Sequence, residues 1–134
     1  MESRVRFDIT FQILGEPASK ANSRKIVKFG NRMASIKSDK ARRYWRSAEE
    51  QLPSGVVPTE KDVCVEMVIY YSTRRPDLDE SLILDILQGY IYKNDRQVKQ
   101  KKIYWQLDRE NPRSVIRVYE LEDLSFPDNL KMDG

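Results

Sequence analysis

An α+β fold is predicted: a single compact domain with a mixed, mostly antiparallel sheet packed with two helices. Three observations predict it. Two long segments alternate apolar and polar residues, as half-buried strands do. Two others carry helical spacing, one behind a capping serine and one ahead of a glycine. The elements follow in the order β, ββ, α, β, α, β, β, which is not the regular βαβ repeat of a parallel sheet. A length of 134 residues suits one domain.

The first strand is expected over 4–14, with Val5, Phe7, Ile9, Phe11 and Ile13 facing one way and Arg6, Asp8, Thr10 and Gln12 the other. Residues 15–24 are a polar loop rich in turn formers. Lys25–Lys28 and Met33–Ile36 flank a Gly30-Asn31 turn signal and predict a short basic hairpin. Ser38 is a natural N-cap for a helix over 39–52, which Pro53 stops. A second alternating strand is expected over 61–72, with Val63, Val65, Met67, Ile69 and Tyr71 on one face. A helix over 80–88 follows, closed by Gly89, and then strands near 98–107 and 114–121. Residues 1–121 are expected to form the domain, and residues 122–134 a loose tail.

Charge is unevenly distributed. The net charge is +3, but residues 17–46 alone carry +9, leaving −6 for the remainder. A second basic run, Lys93, Arg96, Lys99, Lys101 and Lys102, encloses only Asp95. Segregated positive charge attracts polyanions, although the plainer reading of each patch is a solvated face. The chain has no histidine, which excludes histidine-based general base catalysis, histidine-ligated zinc and Ser-His-Asp chemistry. The single cysteine, Cys64, excludes an internal disulfide and reads as a small core residue. With no signal-peptide pattern and no long apolar stretch, a soluble cytoplasmic protein without membrane contact is expected.

The chemistry concentrates in Arg74-Arg75-Pro76-Asp77-Leu78-Asp79-Glu80, with Asn94-Asp95 following sixteen residues after Asp79. Pro76 keeps the chain extended, and residues two apart in an extended chain point the same way. Asp77 and Asp79 would therefore aim two carboxylates at one spot, which is costly without a cation. Mg²⁺ suits such oxygens and binds phosphate, and Asp95 would complete its site. The structural alternatives are an N-cap role for Asp79 and a turn role for Asp95. The basic surroundings favour a nuclease over a calcium buffer. A restriction-type Pro-Asp…(Asp/Glu)-x-Lys plan fails, because no acid downstream of Asp77 is followed two residues later by lysine.

These residues resemble the RusA family of Holliday junction resolvases. The resemblance rests on Arg74-Arg75-Pro76-Asp77-Leu78-Asp79, Leu84-Asp85-Ile86-Leu87-Gln88-Gly89 and Asn94-Asp95-Arg96-Gln97-Val98. It implies an α+β homodimer that nicks symmetrically related strands of a four-way junction. It also implies Mg²⁺, replaceable by Mn²⁺, at the catalytic aspartates Asp77, Asp79 and Asp95. Three departures stand out: a segment after Asp79 shorter by about two residues and lacking the family's lysine, Asn94 in place of an aspartate, and Trp105 where many members carry lysine. Lys20 and Lys99 are the candidates to supply the missing charge. Glu80, Asp85 and Asn94 are expected to support the metal site, and Lys20, Arg24, Arg74, Arg75, Lys99, Lys101 and Lys102 to contact phosphates. Trp45, Tyr92 and Trp105 are either base-stacking or core residues. The activity expected is endonucleolytic cleavage of branched DNA in recombination and repair. The alternative is a non-catalytic branched-DNA-binding protein of the same fold; a basic module for RNA or protein is a third reading.

Overall fold

Strand and helix bounds follow the hydrophobic pattern closely in the computed structural model, which describes residues 6–132. The strands are β1 (Asp8–Leu14), β2 (Arg24–Phe29), β3 (Arg32–Lys37), β4 (Val63–Tyr71), β5 (Val98–Leu107) and β6 (Arg113–Glu120); the helices are α1 (Asp39–Gln51) and α2 (Ser81–Leu87). The expected start of the first strand, including Val5, lies outside the described residues.

Four strands form one sheet in the order β1-β6-β4-β5, and β2 and β3 pair only with each other. β6 runs antiparallel to both β1 and β4, whereas β5 runs parallel to β4. The connection from β4 to β5 therefore crosses over, and α2 lies within it. β4 is the most buried strand, because it is central; Cys64 joins Val63 and Val65 at zero exposure near its start. One face of the sheet carries Ile13, Ile116, Val118, Val65, Met67, Ile69 and Tyr71 into the core, where Ala41, Tyr44 and Ala48 of α1 and Leu82, Ile83, Ile86 and Leu87 of α2 meet them.

The local devices that hold these elements are visible in sequence. Ser38 Oγ accepts from Ala41 N at 3.2 Å and caps α1. Gly30 has φ 60° and Asn31 is not left-handed, which fits a II′ turn whose twist matches the hairpin strands. α2 has only seven residues, too few to persist alone; its four buried apolar side chains, each worth about 1.5–3 kcal/mol, hold it in place.

The opposite face of the sheet carries a ladder of alternating charge. Asp8 on β1 receives two hydrogen bonds from Arg117 on β6 (3.0 and 2.9 Å), Arg117 reaches Glu66 on β4 (3.5 Å), and Lys102 on β5 reaches the same carboxylate (3.5 Å). Residues 122–132 are exposed and include a short 3₁₀ turn at Asp128–Leu130; an Arg6–Glu122 ion pair and a hydrogen bond from Gln100 Nε2 to the Ser125 carbonyl at 2.6 Å tie them to the domain.

Candidate active site

The chain leaves β4 at Tyr71, bends at 72–74 and again at Pro76, and reaches α2 through an irregular loop, so the extended run expected after the strand is interrupted by turns. Two aromatic residues support this loop from below. Trp105 on β5 stacks on Tyr71 with ring centroids 5.7 Å apart, and its Nε1 donates to the Pro76 carbonyl at 3.0 Å. Tyr71 Oη accepts from Asp79 N at 3.2 Å. Glu16 ties the loop's root by accepting from Ser72 N (2.8 Å) and Ser72 Oγ (3.1 Å).

Asp79 is fixed in orientation by three donors. Its Oδ1 accepts from Ser81 N (3.0 Å) and Ser81 Oγ (2.5 Å), and its Oδ2 accepts from Lys20 N (2.5 Å). Burial raises the carboxyl's pKa, but the Ser81 and Lys20 hydrogen bonds and the Lys20 charge outweigh that and hold it below the usual carboxylate range. Asp79 thus stays ionised and also braces the first turn of α2, so the capping role weighed from sequence is met in part. Asp77 is exposed and accepts no hydrogen bond among the described residues. Asp77, Asp79, Lys20, Glu16, Arg75 and Lys40 line one cleft of about 740 Å³.

A second cleft of about 640 Å³ adjoins it and shares Lys20; Asp85, Ser81, Arg24 and Lys37 lie on its wall. Burial, followed by the charge of Asp95, pushes the Asp85 carboxyl up, with Lys37 and Arg24 pulling against them. Asp95 therefore stands near Asp85. It opens the 3₁₀ turn Asp95–Gln97, and its N–H donates to Gln88 Oε1 at 2.8 Å. Asn94 caps that turn by accepting from Arg96 N at 2.9 Å, while Gln97 Oε1 accepts from Asn94 N at 2.8 Å.

The carboxylates are accordingly arranged as two pairs, Asp77 with Asp79 on one cleft and Asp85 beside Asp95. Among the described residues no three acids stand together in metal-holding geometry. This differs from the expected convergence of Asp77, Asp79 and Asp95, and the reason is physical. Asp79 is turned onto the amides of Ser81 and Lys20, and carboxylates without a cation between them repel. The donor chemistry nonetheless fits a hard divalent ion: the candidate ligands are all carboxylate oxygens, and the Asp85 carboxyl, pushed up first by burial and then by the charge of Asp95, would gain from a nearby cation.

Two of the phosphate-contact candidates, Lys101 and Lys102, are held in ion pairs on opposite faces of the sheet. Lys101 Nζ pairs with Glu80 at 3.0 Å, so each neutralises the other beside the site. Lys102 lies on the far face of the sheet in the charge ladder, because neighbours along a strand point to opposite sides. It cannot act with Lys101 as one patch. Glu80 holds the N-cap position of α2, where its carbonyl accepts from Leu84 N at 3.0 Å. Lys20, Arg24, Arg74, Arg75 and Lys99 are exposed and form no ion pair among the described residues. Tyr92 is fully buried, with its hydroxyl donating to the Leu84 carbonyl at 2.6 Å, and is a core residue; Trp45 and Trp105 pack against the core.

Sequence reasoning missed the supporting roles of Tyr71, Trp105, Ser81, Gln88 and Glu16. Trp105 carried a signal by replacing a family lysine, and Gln88 by lying in the Leu84–Gly89 motif.

The profile of the family Endodeoxyribonuclease RusA matches residues 15–119, from the loop that bears Lys20 through both acidic segments to the end of β6. The chain belongs to the RusA endodeoxyribonuclease family. No curated protein matches the sequence. RusA membership implies an endodeoxyribonuclease that acts on branched DNA junctions. Among the described residues no helix is long and apolar enough to cross a membrane.

Proposed function

We propose that the protein is a Mg²⁺-dependent, structure-selective endonuclease that resolves four-way DNA junctions by paired symmetric nicks, acting as a homodimer in recombination and repair. The observation that carries this reading is the Asp77/Asp79 cleft, braced by Tyr71 and Trp105 and rimmed by Lys20, Lys40 and Arg75. Asp77 and Asp79 would hold the ion, with Asp95 drawn toward them from its place near Asp85 once a cation offsets their repulsion; when bound, the ion supplies a nucleophilic water and neutralises charge on the scissile phosphate. The protein's own groups bind and orient. Asp79 is already ionised and aimed by its three donors. Arg75 and Lys40 face the cleft that would receive a phosphate, and Lys20, on the rim of both clefts, stands where it can supply the charge of the missing family lysine. Two copies would present two sites to symmetry-related strands.

A labelled synthetic four-way junction incubated with the protein and Mg²⁺ tests the reading. Asp77→Asn is the informative variant, since Asp77 braces nothing whereas Asp79 also holds the fold. Wild type should give symmetric nicks that vanish with EDTA, and Asp77→Asn should lose on the order of 100-fold in nicking rate or more while binding the junction as well or better. Tight junction binding by wild type without product would favour the non-catalytic alternative.

A further inference from the structure

The hairpin β2–β3 belongs to no larger sheet and holds five cations and no acid over residues 24–37. Its register sorts the side chains. Arg24, Ile26 and Lys28 share one face with Met33, Ser35 and Lys37; Val27, Ala34 and Ile36, half-buried, take the other. On the outer face Ile26 is 71% and Met33 67% exposed, and they are diagonal neighbours across the ladder. Arg24 and Lys28 flank Ile26 and form no ion pair among the described residues. At the root, Lys37 sits over the Trp45 ring at 3.4 Å, and Arg24, Ser35 and Lys37 continue directly into the second cleft, which ends on Asp85 and Lys20.

Resting on the nuclease reading, we infer that this outer face and the cleft below it form a track for an unpaired DNA strand, leading from the hairpin tip to the carboxylates. Charge complementarity selects the occupant. A second copy set symmetrically on this face would bring Arg24, Lys28 and Lys37 against their own kind, which costs free energy. A duplex presents phosphates outward and would leave Ile26 and Met33 uncovered. A single strand offers both phosphates to the cations and flat base faces to Ile26 and Met33. The track would favour branched substrates that have an unpaired strand at the branch.

The test is fluorescence anisotropy in EDTA, with a labelled thymidine oligonucleotide and a fully paired four-way junction, over a salt series. The double variant Ile26→Ser/Met33→Ser should bind the oligonucleotide about tenfold more weakly with its salt slope unchanged, and bind the paired junction as wild type does. Arg24→Ala/Lys28→Ala should flatten the salt slope for the oligonucleotide. Circular dichroism confirms folding of each variant. Unchanged oligonucleotide affinity in the apolar variant overturns the track, as does an equal loss on both ligands. A shift in sedimentation of that variant would assign the patch to a second copy and also overturn it. If wild type nicks junctions while the variants bind the oligonucleotide normally, only the track fails; if wild type shows no affinity for any branched or single-stranded DNA, the nuclease reading fails with it.

Discussion

Trp105 illustrates how one substitution in a family pattern changes a side chain's task. A lysine at that position would bring charge toward the site; the indole instead stacks on Tyr71 and donates to the Pro76 carbonyl. Its effect on chemistry is by positioning, since Pro76 precedes Asp77 and Tyr71 bonds Asp79 N. Trp105→Phe keeps the stack and removes the donor. Stability should fall by only about 1 kcal/mol, while nicking falls about tenfold because the carboxylates lose their alignment. Thermal unfolding and single-turnover nicking on the same preparation check both; unaltered nicking would remove Trp105 from the site. Asp79 and Asp77 differ at this scale too: one is a structural acceptor as well as a candidate ligand, the other is free to serve only the ligand.

At the scale of elements, the loop before β2 and helix α1 are joined by one serine. Ser38 Oγ accepts from Ala41 N and donates to the Asn22 carbonyl at 2.7 Å, and Ser38 N donates to the Ser23 carbonyl at 2.8 Å. The same residue therefore starts α1 and anchors the 3₁₀ turn Lys20–Asn22, whose first N–H holds Asp79. Ser38→Ala should cost about 1 kcal/mol, read as a lower urea midpoint with an unchanged slope. It should also reduce nicking, because the turn bearing Lys20 loses its tie. A stability loss with nicking intact would separate the cap from the site. The short α2 is the complementary case: its burial holds it, and at its two ends Asp79 accepts from Ser81 while Gln88 accepts from the Asp95 N–H.

For the molecule as a whole, the sheet's two faces divide the labour. One face builds the core and the site; the other carries the Asp8–Arg117–Glu66–Lys102 ladder across all four strands. Arg117's hydrogen bond, opposed by slight burial and aided by its charge, lowers the Asp8 carboxyl below its ordinary value. A lowered folded-state pKa means the contribution is complete above the ordinary Asp value and disappears as pH falls through the folded one. Unfolding titrations of wild type and Asp8→Asn should therefore differ at neutral pH and converge in acid. Added salt should shrink the neutral-pH difference, since the pair is exposed. A gap that persists in acid would mean the ladder is not its source.

The sequence by itself determined the elements and the family. Alternation in β1 and β4, the Ser38 cap, the Gly30-Asn31 turn and the Gly89 stop are local signals, readable because each depends on a few neighbouring residues. So is the pairing of Asp77 with Asp79 two residues on. Tertiary structure alone decided what those side chains do with one another. That β5 runs parallel to β4 depends on a crossover, and it is this register that sends Lys101 to Glu80 and Lys102 to the far face. That Asp79 is taken up by Lys20 N, and that Asp95 stands beside Asp85, depend on contacts between segments distant along the chain. Periodicity reports which way a side chain faces, whereas a site requires knowing what it faces, and that is set only when the core has packed.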